Sequence, residues 1–197
     1  MEQEIKITAE IQTDPTKCRF TVDRPVYDGA AYFANKETTQ GSPLAEAIFE
    51  IPNVTAALIA GHVVTVTKDD FGDWLPPAKQ VGAAIRRILQ SGLPAVSQEF
   101  KARMPSPDYI REKVQDLLDT QINPAVAAHG GYIDLLDVIE NNVYIRMGGG
   151  CQGCGMANVT LKQGVEELVR ENIPEVGQIL DTTDHAAGQN PYYSPAK

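Results

Sequence analysis

Val143-Tyr144-Ile145-Arg146-Met147-Gly148-Gly149-Gly150-Cys151-Gln152-Gly153-Cys154-Gly155 decides how this chain is read. Val143, Ile145 and Met147 alternate with Tyr144 and Arg146, the period of a strand with one buried face. Three glycines follow, then Cys-x-x-Cys. Beyond it Ala157, Leu161, Val165 and Leu168 recur at helical spacing up to Pro174. The two thiols thus lie on a glycine-rich loop between a strand and a helix N-terminus. Glycine lets backbone take positive φ and approach a ligand closely. Such loops turn several N–H groups inward, and a helix N-terminus adds partial positive charge that favours thiolate. Thiolates, N–H donors and close backbone suit an anionic iron–sulfur cluster.

Working outward, Tyr132–Ile139 reads as the first strand of a hairpin turning at Asn141-Asn142. Ser106-Pro107 signals a helix start, and Ile110, Val114, Leu117 and Leu118 form its apolar stripe. Its continuation through Ile122 and Val126 must accommodate Pro124, which predicts a kink or break. Gly130-Gly131 ends it. With a last strand over Val176–Leu180, the order is α-β-β-α-β.

Upstream, Ile5–Ile11 and Cys18–Val22 read as strands around the turn at Thr13–Thr16, and Asp28-Gly29 reads as another turn. Ser42-Pro43 opens a short helix through Phe49. Val54–Ala60 and Val63–Thr67 form a hairpin closed by Gly61-His62. After Pro76-Pro77, the spacing of Val81, Ala84, Ile85, Ile88 and Leu89 predicts a helix that Gly92 ends. The expected fold class is α+β: two small domains, each a mainly antiparallel sheet with helices. Expected boundaries are 1–97, a polar linker over 98–107, a second domain over 108–185, and a flexible tail over 186–197.

The formal net charge is −9, with −3 through Ser97 and −6 beyond it. A polyanion is repelled, so nucleic acid is not an expected partner. No apolar run approaches the ~20 residues of a membrane span. The acidic start is not a signal or transit peptide, so a cytoplasmic location is expected. Three cysteines do not make a disulfide framework.

A cluster usually takes four cysteine ligands. Cys151 and Cys154 supply two, so a second chain would supply the rest, with the cluster on a two-fold axis. Zinc could occupy the same four thiolates as a structural staple. A thiol–disulfide oxidoreductase is the other alternative, although the order here lacks the βαβ unit that leads into a thioredoxin-like motif. An inert reduced pair is the blandest reading. Cys18 reads as packing. His129, at a helix end, reads as structural, and His62 and His185 lack metal-ligand spacing. Gly148–Gly150 lacks the Gly-Lys-Ser/Thr of a phosphate loop. Asp69-Asp70 and Glu166-Glu167 read as solvated faces, and Trp74 as core or rim.

His129-Gly130-Gly131, the hairpin, Gly149-Gly150-Cys151-x-x-Cys154, Val159-Thr160-Leu161-Lys162 and Gly164-Val165-Glu166 together resemble the Nfu-type (NifU C-terminal-like) domain over about residues 108–185. The first part resembles the Nfu N-terminal domain. The pieces that carry it are Gln12-Thr13-Asp14-Pro15, Arg19-Phe20, Ser42-Pro43-Leu44-Ala45 with Ile48-Phe49, Val64–Lys68, Asp73-Trp74 and Ser91-Gly92-Leu93-Pro94. The resemblance implies an iron–sulfur scaffold or carrier that is not an enzyme. It would hold [4Fe–4S] between the subunits of a homodimer, receive the cluster from upstream assembly proteins and hand it to client apoproteins. It carries Cys151 and Cys154 over as ligands, with Gly149, Gly150, Gly153 and Gly155 shaping the loop. The first domain, without cluster ligands of its own, is expected to recognise clients.

Overall fold

The computed structural model describes residues 4–128, 130–149 and 155–182, the side chains of 155–161 excepted. The chain divides into two compact units, Met1–Met104 and Pro105–Lys197.

The first unit is a five-stranded antiparallel sheet built from β1 (Ile7–Ile11), β2 (Lys17–Val22), β3 (Tyr27–Phe33), β4 (Val54–Gly61) and β5 (Val63–Lys68), in the order β1-β2-β5-β4-β3. Period-two patterning aligns across the strands. Ile11, Cys18, Val66, Ala57 and Phe33 form one cross-strand row, and Ala9, Phe20, Val64, Ile59 and Ala31 the next. Apart from the exposed edge residues Ile11 and Ala9, these rows pack with Leu44, Ala45, Ile48 and Phe49 of α1 (Pro43–Phe49), and with Val81, Ile85 and Ile88 of α2 (Leu75–Ser91). Ser42 caps α1 by accepting from the Ala45 N–H, and Gly92 ends α2 at φ 75°.

Two readings change here. Asp28-Gly29 is not a chain-reversing turn but an irregularity inside β3, where the register with β4 shifts between Tyr27 and Ala30. Gly29 sits there at φ 138°, a conformation open to glycine. The start of the expected linker is a helix, α3 (Gln98–Ala102), capped by Ser97. Phe100 packs against the first core, its ring 5.2 Å from Phe33, and Arg103 donates to the Gln40 carbonyl. Polarity made this segment look like linker, but one aromatic contact and the cap fasten it.

The second unit has the expected order. Ser106 caps α4 (Pro107–Leu117), a π-helical turn (Leu118–Ile122) follows, and α5 (Asn123–Ala127) completes the helix. The π turn is how the chain meets Pro124: proline has no N–H to give, and widening the preceding turn absorbs the missing bond. Ile110, Val114, Leu117, Leu118, Ile122 and Val126 all remain buried along one side. β6 (Gly131–Ile139) and β7 (Asn142–Gly149) form the antiparallel hairpin, and β8 (Ile179–Asp181) lies parallel to β7 after α6 (Gly155–Asn172). The hairpin turn is Glu140-Asn141, one residue earlier than expected. Ile139 pairs with Asn142, and Glu140 takes φ 55°. The stripe of α6 continues through Val165, Val169 and Ile173. The expected tail, 186–197, lies outside the described residues. No helix among the described residues is long and apolar enough to cross a membrane.

Candidate functional site

Gly149 ends β7 and Gly155 opens α6, so both cysteines of the motif fall in the five-residue connection 150–154. Gly150, Cys151, Gly153 and Cys154 lie outside the described residues. What the structure defines is the frame on either side of them.

The frame rests on a close approach of two strands. Gly131 pairs with Gly149, Tyr132 with Gly148 and Ile133 with Met147. Gly130 and Gly149 take φ 71° and 65°, the left-handed region that other L-residues rarely occupy. A Cβ on Gly149 would overlap the Gly130 carbonyl oxygen. Gly148 is needed for another reason. Its φ is ordinary, but the Tyr132 ring lies where its Cβ would be. Aromatic cover of a cross-strand glycine is a known sheet device. Each glycine lets a different group come close to the backbone just before the cysteines.

Side chains brace this end of the hairpin. Asn123 of α5 donates to the Ile133 carbonyl at 2.9 Å and accepts from the Ile133 N–H at 2.8 Å, so the amide acts like one more strand residue beside β6. Asp134 and Arg146 are cross-strand partners bonded at 2.5 Å, and that hydrogen bond holds the Arg146 guanidinium above its ordinary pKa. Arg111 of α4 pairs with Asp137 of β6. Neither Asn123 nor Tyr132 was singled out from sequence. The available signals were an Asn just before the helix-interrupting Pro124 and a Tyr placed next to Gly130-Gly131.

Beyond the connection, α6 runs for 18 residues from Gly155. A helix of that length presents its unbonded N–H groups and partial positive charge at the end that the cysteines precede. Val165, Val169 and Ile173 seat it in the second core.

Cys18 is apart from all this. It is 1% exposed in the first core, in the row with Ile11 and Val66, and burial pushes its thiol pKa up. A thiol held protonated is a poor metal ligand. His62 is exposed in its hairpin turn, while His129 and His185 lie outside the described residues. Among the described residues no group of three or more His, Cys, Asp or Glu could hold a metal ion. Asp70, read as solvated, instead accepts from Lys68 at 2.6 Å, and Trp74 is 5% exposed in the first core.

Comparison with known proteins agrees with both units. Residues 7–92 match the family described as scaffold protein Nfu/NifU N terminal, and residues 114–180 match the NifU-like domain family. Proteins named Fe/S biogenesis protein NfuA are similar to the chain. The Pseudomonas aeruginosa protein is 51% identical over 85 residues, covering 43% of this chain and 44% of that protein. The Pseudomonas savastanoi protein is 48% identical over 88 residues, covering 43% and 45%. The matched region thus spans less than half the length of these relatives. A solution structure of a NifU-like protein from Saccharomyces cerevisiae aligns with 50% of this chain and 91% of its own, at 18% identity and a TM-score of 0.45. With one family matched across each of its two units, the chain belongs to the Nfu family, carrying an Nfu/NifU N-terminal domain followed by a NifU-like domain.

Proposed function

We propose that this protein carries an iron–sulfur cluster, [4Fe–4S], as cargo and transfers it to client apoproteins. Cys151 and Cys154 are the ligands. The observation that carries the reading is placement: two thiols in one five-residue connection, entered through Gly149 at positive φ and left through the first residue of α6, within a NifU-like domain. The names of the similar proteins, which refer to Fe/S biogenesis, support it.

The chemistry follows from the parts. The helix N-terminus lowers thiol pKa and favours the thiolate that binds iron. Gly149, Gly150, Gly153 and Gly155 leave room for backbone N–H groups to face the sulfides. Two ligands per chain call for a homodimer with the cluster between subunits. A cluster held by two thiolates from each of two chains suits release, because separating the chains removes half its ligands. Transfer is ligand exchange. A client thiolate bonds to iron, a carrier thiolate leaves and is protonated, and no electrons change hands. Upstream assembly proteins supply the cluster. No bond-making active site is required, so the protein is not an enzyme. Thiolates that must stay reduced place the work in a reducing compartment, the cytoplasm.

The test is anaerobic reconstitution of apo-protein with iron and sulfide, beside the Cys151→Ala/Cys154→Ala variant, reading absorbance, iron and sulfide per chain, and mass. The expected result is a coloured dimer with one cluster per two chains, absent from the variant. A colourless monomer in both rejects the reading. Tight zinc without iron uptake would favour the structural staple, and a reversible Cys151–Cys154 disulfide with reductase activity would favour the oxidoreductase.

A further inference from the structure

Where β5 ends, the first unit buries a charge and exposes a phenyl ring. The Lys68 side chain is 3% exposed. Its ammonium donates to Asp70 Oδ1 at 2.6 Å and to the Gly72 carbonyl at 2.5 Å, and lies 5.1 Å from the centre of the Trp74 ring. Asp70 also accepts from the Gly72 N–H at 2.7 Å and from Asn53 Nδ2 at 2.5 Å. The Trp74 indole N–H donates to the Pro15 carbonyl at 2.8 Å. The segment from Lys68 to Trp74 is therefore tied on both sides of Phe71. Yet Phe71 itself is 81% exposed.

Two more apolar side chains share this end of the sheet. Leu75, the first residue of α2, is 59% exposed. Ile11, the last residue of edge strand β1, is also 59% exposed. It ends the row through Cys18 and Val66, and Lys68 follows Val66 on the same face. Isolated exposed apolar residues are ordinary. A phenylalanine in a segment tied down by a buried lysine and its half-exposed carboxylate partner is different, because it is held outward and loses little freedom on docking.

Charge selects the occupant. Asp69 and Asp73 flank Phe71 and are exposed, and among the described residues neither pairs with a cation. With Asp69 and Asp73 exposed beside Phe71, the local charge is negative, which favours a cationic segment over an anionic membrane. We propose that the corner formed by Ile11, Phe71 and Leu75 docks a cationic amphipathic segment of a partner protein. Apolar side chains of that segment cover Phe71, and its Lys or Arg residues face Asp69 and Asp73. The inference does not depend on cluster binding, because apo-protein should dock the segment equally well.

The experiment uses the full-length apo-protein and a short amphipathic Lys/Leu peptide, with a Glu/Leu peptide of the same pattern as control. Trp74, the single tryptophan, reports on the corner. Backbone amide shifts locate the contact. Saturable change in Trp74 emission with the Lys/Leu peptide alone is expected, with shifts centred on Ile11 and residues 69–75. Phe71→Ala should weaken binding about tenfold or more. Asp69→Asn/Asp73→Asn should weaken it and flatten its salt dependence. Because Phe71 is exposed, the thermal midpoint of Phe71→Ala should match the parent, which separates lost docking from lost folding. Any of four results overturns the proposal: no binding by the parent, unchanged binding by Phe71→Ala, equal binding of the Glu/Leu peptide, or phosphatidylglycerol vesicles shifting Trp74 where the peptide does not.

Discussion

Replacing each of three neighbouring glycines by alanine should have three different costs, and the ranking tests the account of the site's frame. At Gly130, φ is 71° and nothing lies within 4 Å of an added Cβ. Only the left-handed conformation is penalised, at about 1 kcal/mol. At Gly148, φ is ordinary and the obstacle is the end of the Tyr132 side chain, which is 46% exposed and can swing away. The loss is one ring contact, about 0.5–1 kcal/mol. At Gly149 both penalties combine. The backbone is left-handed at φ 65°, and the obstacle is the Gly130 carbonyl, which cannot rotate aside. Relief requires opening the Gly131–Gly149 pair, so to the same conformational cost of about 1 kcal/mol is added about 1 kcal/mol for a ladder bond, roughly 2 kcal/mol in all. For a unit of this size that lowers Tm by roughly 8–16 °C. Thermal unfolding followed by hydrogen exchange of β6–β7 amides gives the second unit's stability, and Trp74 fluorescence, reporting the first unit, should not move. Adding Tyr132→Ala should remove most of the Gly148→Ala penalty and none of the Gly149→Ala penalty. The reasoning is refuted if Gly149→Ala costs no more than Gly130→Ala, or if Tyr132→Ala rescues it.

Other outcomes follow from single contacts. Lys68→Ala removes a buried stem from Trp74 and should lower the first unit's stability by about 1–3 kcal/mol, seen as an earlier Trp74 urea midpoint. The Lys68 hydrogen bond, with those from Gly72 and Asn53, holds the Asp70 pKa below its ordinary 3.8. A lowered folded pKa stabilises above the unfolded value and is lost as pH falls through the folded one, so Asp70→Asn should flatten the acid limb of first-unit stability below pH 3.8. Asn123→Ala leaves the Ile133 N–H and carbonyl without their side-chain partner and should cost about 1–3 kcal/mol, with faster exchange at the Ile133 amide. Cys18→Ala should leave iron per chain unchanged after reconstitution, while native Cys18 resists thiol reagents until the first unit unfolds, a contrast that mass spectrometry would read.

Local signals were strong where the chain needs no distant partner. Ser42-Pro43 and Ser106-Pro107 predicted two helix starts because an N-cap and a first-turn proline act within one turn. The spacing of Val81, Ala84, Ile85 and Ile88 predicted the buried face of α2, and Gly61-His62 predicted the β4–β5 hairpin. Strand β3 was not legible. Asp28-Gly29 is a local turn signal, and its extended path is set by pairing with β4, whose residues lie some thirty positions downstream. The π turn before Pro124 was foreseen only as a kink, since sequence shows that a bond is lost but not how the helix redistributes the rest.

For the site, the sequence by itself determined the ligand candidates and their setting. A Cys-x-x-Cys between alternating apolar residues and a helical stripe has its chemistry in its spacing. Tertiary structure alone decided why the glycines must be glycine, because the obstacles, the Gly130 carbonyl and the Tyr132 ring, come from the neighbouring strand. It alone decided that Asp70 is bound to Lys68 while adjacent Asp69 stays exposed without a cation partner among the described residues, although both read as one acidic run. Periodicity and caps are properties of a single stretch of chain. Close approach of the glycine strands, and the anchoring of the local Lys68–Asp70–Gly72 network by Asn53 and of Trp74 by Pro15, arise only when stretches distant in sequence are brought together, and no local pattern encodes them.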